Sequence, residues 1–382
     1  MKYVISMDSF KGSLSAKDAC TAAMNGVKRA DREAEAVLLP LADGGEGTAD
    51  AVVSALGGSM VGCRVTGPFG ESENGYYGKI GEPGENDSLA VIDTAAASGI
   101  VLAKAHGLDP MTASTYGTGM QIKEMLDLGY RRIAVGLGGS GTNDGGTGAL
   151  MALGAVFYDK NGEKITKQGG QILAMIGRID LSALDCRLTE TELRLMYDVS
   201  IPLTGEHGAS LNYSHQKGAD EKTARELESG MENYASAVTR LTGKHPNETS
   251  GTGAAGGLGC GLMLAGGILT EGAPYMLKLA RFSHHASQAD LIITGEGKTD
   301  FQTASGKLPV AVAREAKKYG KTVVCVCGAA APTKDVYESG IDAVFSIADR
   351  PMTVSESMNE ASRLIEETCF NIAGLVTRYD KK

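Results

Sequence analysis

The strongest constraint on this chain is a unit that recurs at both of its ends: a short apolar run, a glycine-rich loop carrying an acid, and a stretch with helical spacing. Residues 3–7 read as a buried strand that runs into Asp8-Ser9-Phe10-Lys11-Gly12-Ser13, and helical spacing then extends from Ser15, a good N-cap, to Val27. Residues 36–39 lead likewise into Asp43-Gly44-Gly45-Glu46-Gly47-Thr48 and a helix over 49–56. Near the other end, runs at 290–294, 322–327 and 342–347 follow the same pattern. Alternating strands and helices of this kind build parallel sheets. Two β-α units at the N-terminus are too few for one, and the three near the C-terminus complete five strands. The fold class expected is therefore α/β in two domains: a Rossmann- or flavodoxin-like domain built from both chain ends, 1–67 and 288–382, and an inserted α/β domain over 68–287. A chain of 382 residues exceeds what one core usually serves. Alternation at 76–80, an apolar run at 89–92, an amphipathic helix over 117–128 and a strand at 132–135 predict a mixed sheet in the insert.

The 52 glycines gather in clusters, and five loops stand out, four of which combine them with charge. Two are the N-terminal loops above. The others are Gly136-Leu-Gly138-Gly139-Ser140-Gly141-Thr142-Asn143-Asp144-Gly145-Gly146, Gly253-Ala-Ala-Gly-Gly-Leu-Gly259, and Gly295-Glu296-Gly297-Lys298-Thr299-Asp300-Phe301-Gln302 with Gly306-Lys307 beyond it. Glycine lets backbone amides converge on an anion, and in an α/β sheet ligands bind outside the strand ends where such loops lie. The formal charge is −9 and no basic stripe exists, so nucleic acid is excluded as an expected partner and any anion must be held locally. Phosphoryl transfer needs carboxylates to position Mg²⁺ and one to accept a hydroxyl proton. Asp8, Asp43, Glu46, Asp144 and Asp300 are loop acids of the required type.

Gly297-Lys298-Thr299 imitates the end of a P-loop, yet Ile292 stands where the leading glycine belongs. Gly136-x-Gly138-x-x-Gly141, with Asp159 downstream, matches a dinucleotide fingerprint and keeps an NAD(P)-dependent oxidoreductase as the alternative enzyme. Against it, Asn143-Asp144-Gly145-Gly146 falls where the first helical turns should be. The six histidines make no zinc pattern and no Gly-x-Ser-x-Gly elbow exists. Seven scattered cysteines, no membrane-length apolar run and a broken apolar N-terminus lead to an expected cytoplasmic location.

Together these residues resemble the bacterial glycerate kinases of the first type. The resemblance spans nearly the whole chain, carried by the 8–16 segment, the 43–48 loop, Gly136-Leu-Gly-Gly-Ser140 with Asn143-Asp144-Gly145-Gly146, Asp198 with Pro202-Leu203, Gln216-Lys-Gly-Ala219, the 253–259 loop, and Thr294-Gly295-Glu296-Gly297 with Asp300, Gln302 and Lys307. It implies two domains with a cleft between them, and ATP-dependent phosphorylation of D-glycerate to 2-phosphoglycerate with Mg²⁺. The family pattern has Asn where Ile201 stands, and Arg where Lys298 stands. On this reading Lys11, Lys298 or Lys307 and the amides around Gly138, Gly139 and Ser140 hold phosphates and the substrate carboxylate. Asp8, Ser9, Ser13, Gly44, Gly45, Asn143, Gly295, Glu296 and Gln302 complete the binding set. Asp43, Glu46 and Asp144 are the metal candidates, and either Asp198 or Asp300 is the base. A metabolite-binding regulator that kept the fold without turnover is the non-enzyme alternative. The assembly, monomer or homodimer, is left open.

Overall fold

The computed structural model describes residues 1–45 and 47–380. Its strands, in chain order, are β1 (Lys2–Met7), β2 (Glu35–Leu38), β3 (Ser59–Thr66), β4 (Ser72–Ile80), β5 (Leu89–Asp93), β6 (Arg132–Gly136), β7 (Val156–Asp159), β8 (Ile176–Asp180), β9 (Glu192–Tyr197), β10 (Ile268–Glu271), β11 (Leu291–Thr299), β12 (Thr322–Ala330) and β13 (Ala343–Ser346). The chain divides into two compact units, one of Met1–Asp43, Asp50–Gly57 and Gly272–Lys382, the other of Gly44–Ala49 and Gly58–Glu271.

The first unit is built on a five-stranded sheet of order β13-β12-β11-β1-β2, parallel throughout. Numbered within the sheet this is the flavodoxin-like order, so both chain ends do make one Rossmann-like sheet. The strand order reverses between β1 and β11, which pair from Tyr3↔Leu291 to Met7↔Gly295. Tyr3, Ile5, Met7, Ile293 and Val326 form its core with the helices Ala16–Ala30 and Ala361–Asp380. Ser15 caps the first of these by accepting from the Asp18 amide at 3.1 Å. Gly26 lets the two helices touch at backbone distance, since a Cβ there would lie 2.1 Å from the Glu366 carbonyl oxygen.

The second unit holds a six-stranded sheet of order β10-β9-β6-β5-β4-β3. Its β10, β9, β6 and β5 are parallel while β4 and β3 run antiparallel, the mixed sheet expected. The edges of this unit lie at Gly58 and Glu271, against the expected 68 and 287. On the early side β3 pairs along its whole length with β4, from Ser59↔Lys79 to Thr66↔Ser72. On the late side the helices Gly272–Leu279 and Phe282–Gln288 pack on Leu308–Lys317 in the first unit. Among the described residues, no helix is long and apolar enough to cross a membrane.

Candidate active site

In the first unit, the loops after β1 and β2 and the C-terminal part of β11 border one cavity of about 670 Å³. It lies where the strand order reverses, the crevice that open α/β sheets use for ligands. Asp8, Ser9, Lys11, Ser13, Asp43, Glu296, Lys298 and Lys307 all line it, so eight residues singled out from sequence meet there. The Asp8 amide donates to the Gly295 carbonyl at 2.9 Å, which fixes the first loop to β11. Its carboxylate accepts from the Ser9 amide at 2.6 Å. Gly12 sits at φ +77°, and Ser13 Oγ donates to the Met358 carbonyl at 2.5 Å, tying this turn to the helix Val354–Asn359. Glu296 Oε1 accepts from Thr303 Oγ1 at 2.7 Å and Thr299 Oγ1 at 3.0 Å. Gly295 and Gln302 do not line the cavity. The first lets β11 pass beside the Val326 carbonyl, and the second donates its amide to Asp300 Oδ1 at 2.9 Å.

Asp8, Asp43 and Glu296 are all buried. Burial, reinforced by the charge of Asp43, pushes the Asp8 carboxyl up to about 8. Burial also raises Glu296, against the pull of Thr303 and of Lys307. Asp300 moves the other way, because Lys298 holds it in a 2.8 Å ion pair. Three desolvated carboxylates beside three lysines suit an ion pair brought in from solution: a hard divalent cation on the oxygens and phosphates on the ammonium groups. The three carboxylates do not converge tightly enough to enclose a cation by themselves.

In the second unit the loops have another character. Asp144 is fully buried, and its carboxylate accepts from the Thr115 amide (2.8 Å), Thr115 Oγ1 (2.9 Å), the Gly146 amide (3.0 Å) and the Gly148 amide (3.2 Å). Its oxygens are committed to holding two loops and a helix start, a structural use of a residue expected at the metal. Gly44 packs on the Met196 backbone, and the Gly45 carbonyl accepts from Thr48 Oγ1 at 2.7 Å. Glu46 lies outside the described residues. Gly139 and Ser140 bond to the segment ahead of the helix Ile100–His106, with the Ile100 amide donating to the Gly139 carbonyl at 2.9 Å and Gly99 bridged to Ser140. Gly138 shares this loop. Asn143 Nδ2 donates to Ser210 Oγ at 3.1 Å, while Asn143 Oδ1 and Thr142 Oγ1 are buried without a hydrogen-bond partner. Asp198 follows β9, where its charge raises the Tyr213 hydroxyl after burial has done so.

A model of the family described as "Glycerate kinase family" matches residues 3–377. The chain belongs to the glycerate kinase family. It is 40% identical over 380 residues to a glycerate kinase of Halalkalibacterium halodurans, covering 99% of this chain and 98% of that one. A glycerate 2-kinase of Escherichia coli is 40% identical over 377 residues, 98% of this chain and 97% of its own. A crystal structure from Salmonella typhimurium LT2 assigned as a glycerate kinase 2 matches over 100% of both chains, with a TM-score of 0.87 and 38% identity.

The family membership agrees with what becomes of the dinucleotide-like glycines. After β6 ends at Gly136 the next helix begins only at Thr147, so Gly136, Gly138 and Gly141 do not open a helix as the fingerprint requires. Gly141 donates its amide instead to the Ser98 carbonyl at 2.8 Å. Two residues not placed in the site beforehand also matter. Asp93, at the end of β5, is buried and accepts from the Ala49 amide at 3.1 Å. An acid closing a wholly apolar strand was its only signal. Lys217 is buried beneath the glycine loop, where Nζ donates to the Thr142 carbonyl at 2.7 Å and Ser140 Oγ at 3.0 Å. Burial lowers it to about 8, and its only signal in the sequence was the Gln216-Lys-Gly-Ala219 stretch that carries the family resemblance.

Proposed function

We propose that the protein transfers the γ-phosphoryl group of ATP to the 2-hydroxyl of D-glycerate, giving 2-phosphoglycerate and ADP. As a member of the glycerate kinase family it is a phosphotransferase. The observation that carries the finer reading is the meeting of Asp8, Asp43 and Glu296 with Lys11, Lys298 and Lys307 around one cavity at the sheet's reversal point. Lys11 and Lys307 would lie on phosphate oxygens, and Asp43 with Asp8 or Glu296 would hold Mg²⁺, which when bound neutralises charge on the phosphates. The substrate hydroxyl oxygen forms a bond to the γ-phosphorus as the bond to the β-phosphate oxygen breaks, and the hydroxyl proton passes to a carboxylate.

Of the two acids expected to take that proton, Asp300 is paired with Lys298, which weakens it as a base. Asp198, which follows β9, is the other candidate, and the two variants Asp198→Asn and Asp300→Asn decide between them. The variant that removes the base should lower glycerate-dependent ADP release by roughly 10²–10⁴-fold, and the other by far less. Unchanged turnover in both removes both acids as the base. Phosphorus NMR of the product from D-glycerate and MgATP tests the reaction itself: a 3-phospho product, or none, would overturn it.

A further inference from the structure

The first-unit cavity has two unlike sides. One is the charged floor already described. The other is an apolar wall from the segment after β13 and the helix Val354–Asn359, in which Ile347, Met352, Val354 and Met358 face the same space. Glycerate has no apolar surface that would need such a wall, and a volume of about 670 Å³ is far beyond what a three-carbon acid fills. Resting on the kinase reading above, we propose that this wall seats the purine ring and ribose of the phosphoryl donor, with its phosphates running to Lys11 and Lys307.

Three observations support the assignment. The wall and the phosphate side are mechanically one piece, since Ser13 Oγ bonds to the Met358 carbonyl and a Cβ on Gly12 would lie 2.8 Å from Met358 Cε. Methionine thioethers are polarizable and adaptable, and they make favourable contacts with aromatic rings, so Met352 and Met358 suit a flat heteroaromatic base better than an acid. Val354 is 76% exposed at the start of its helix, an apolar side chain at the rim where a bound ring would cover it.

Calorimetric titration separates base binding from phosphate binding. Met352→Asp should weaken MgATP by about tenfold or more while leaving inorganic tripolyphosphate within about twofold of the parent. In steady-state assays the same variant should raise KM for MgATP and leave KM for glycerate unchanged. Met352→Leu, which keeps volume and apolarity, should bind MgATP within about threefold of the parent, which excludes misfolding as the cause. The proposal is overturned if Met352→Asp weakens both ligands equally, weakens neither, or raises KM for glycerate instead. Because titration needs no turnover, a parent protein that binds MgATP on this wall yet fails to phosphorylate glycerate would sink the kinase reading and leave this inference standing.

Discussion

The acidic glycine loops of the two units look alike as sequence and are used in opposite ways. In the first unit Asp8, Asp43 and Glu296 face a cavity, and burial, with the charge of Asp43 added, raises the proton affinity of Asp8 and Glu296. In the second unit Asp144 stands at the same kind of strand end, yet four donor groups from Thr115, Gly146 and Gly148 surround it. Lys217 is likewise turned inward onto the glycine loop. A buried carboxylate ringed by backbone amides is a fixed anchor, whereas buried carboxylates set against each other keep charge that a proton or a cation can offset. The lesson is that acid plus glycine signals a loop under constraint, and only its neighbours decide whether the constraint is structural or chemical.

That contrast can be broken by experiment. Asp43→Asn should cut turnover by roughly 10³-fold with little change in melting temperature, because it removes charge facing the cavity. A loss of stability with normal turnover would place Asp43 with the anchors. Asp144→Asn should do the converse and cost about 3 kcal/mol of stability, since an amide turns donors toward donors. Equilibrium unfolding that matches the parent would show the anchor to be dispensable.

Asp8 gives a sharper test through pH. Its native carboxyl holds its proton up to about 8, while the unfolded chain releases it near 4. Across that window the unfolded state binds fewer protons, so this group makes the parent less stable as pH rises. The melting temperature of Asp8→Asn, measured with a chelator present, should therefore gain on the parent by a few degrees between pH 5 and pH 8. A flat or shrinking difference would remove the account of Asp8 as a carboxyl raised by burial and by Asp43. The smallest effect expected is Ser15→Ala, which loses the cap on the Ala16–Ala30 helix and should cost about 1 kcal/mol without touching KM for either substrate.

Much of the fold was legible because its signals are local. Ser15 reads as a cap from its type and place, the runs at 3–7 and 290–294 read as strands from their apolar residues, and the count of β-α units implied that both ends share a sheet. The unit edges were not legible to the same degree. Gly67-Pro68 looks like a hinge, but β3 ahead of it is claimed by its partner β4. Pairing of that kind depends on a strand that lies elsewhere in the chain.

The same division holds for the site. Residue types and glycine spacing determined which loops could meet a phosphate, since backbone freedom and charge are properties of the residues themselves. What those properties could not decide was which acids would be spent on neighbouring amides and which would face a cavity. That choice belongs to the tertiary structure, because desolvation and the supply of hydrogen-bond donors at Asp8 or Asp144 come from segments distant in sequence, and so does the apolar wall that gives the cavity its second face.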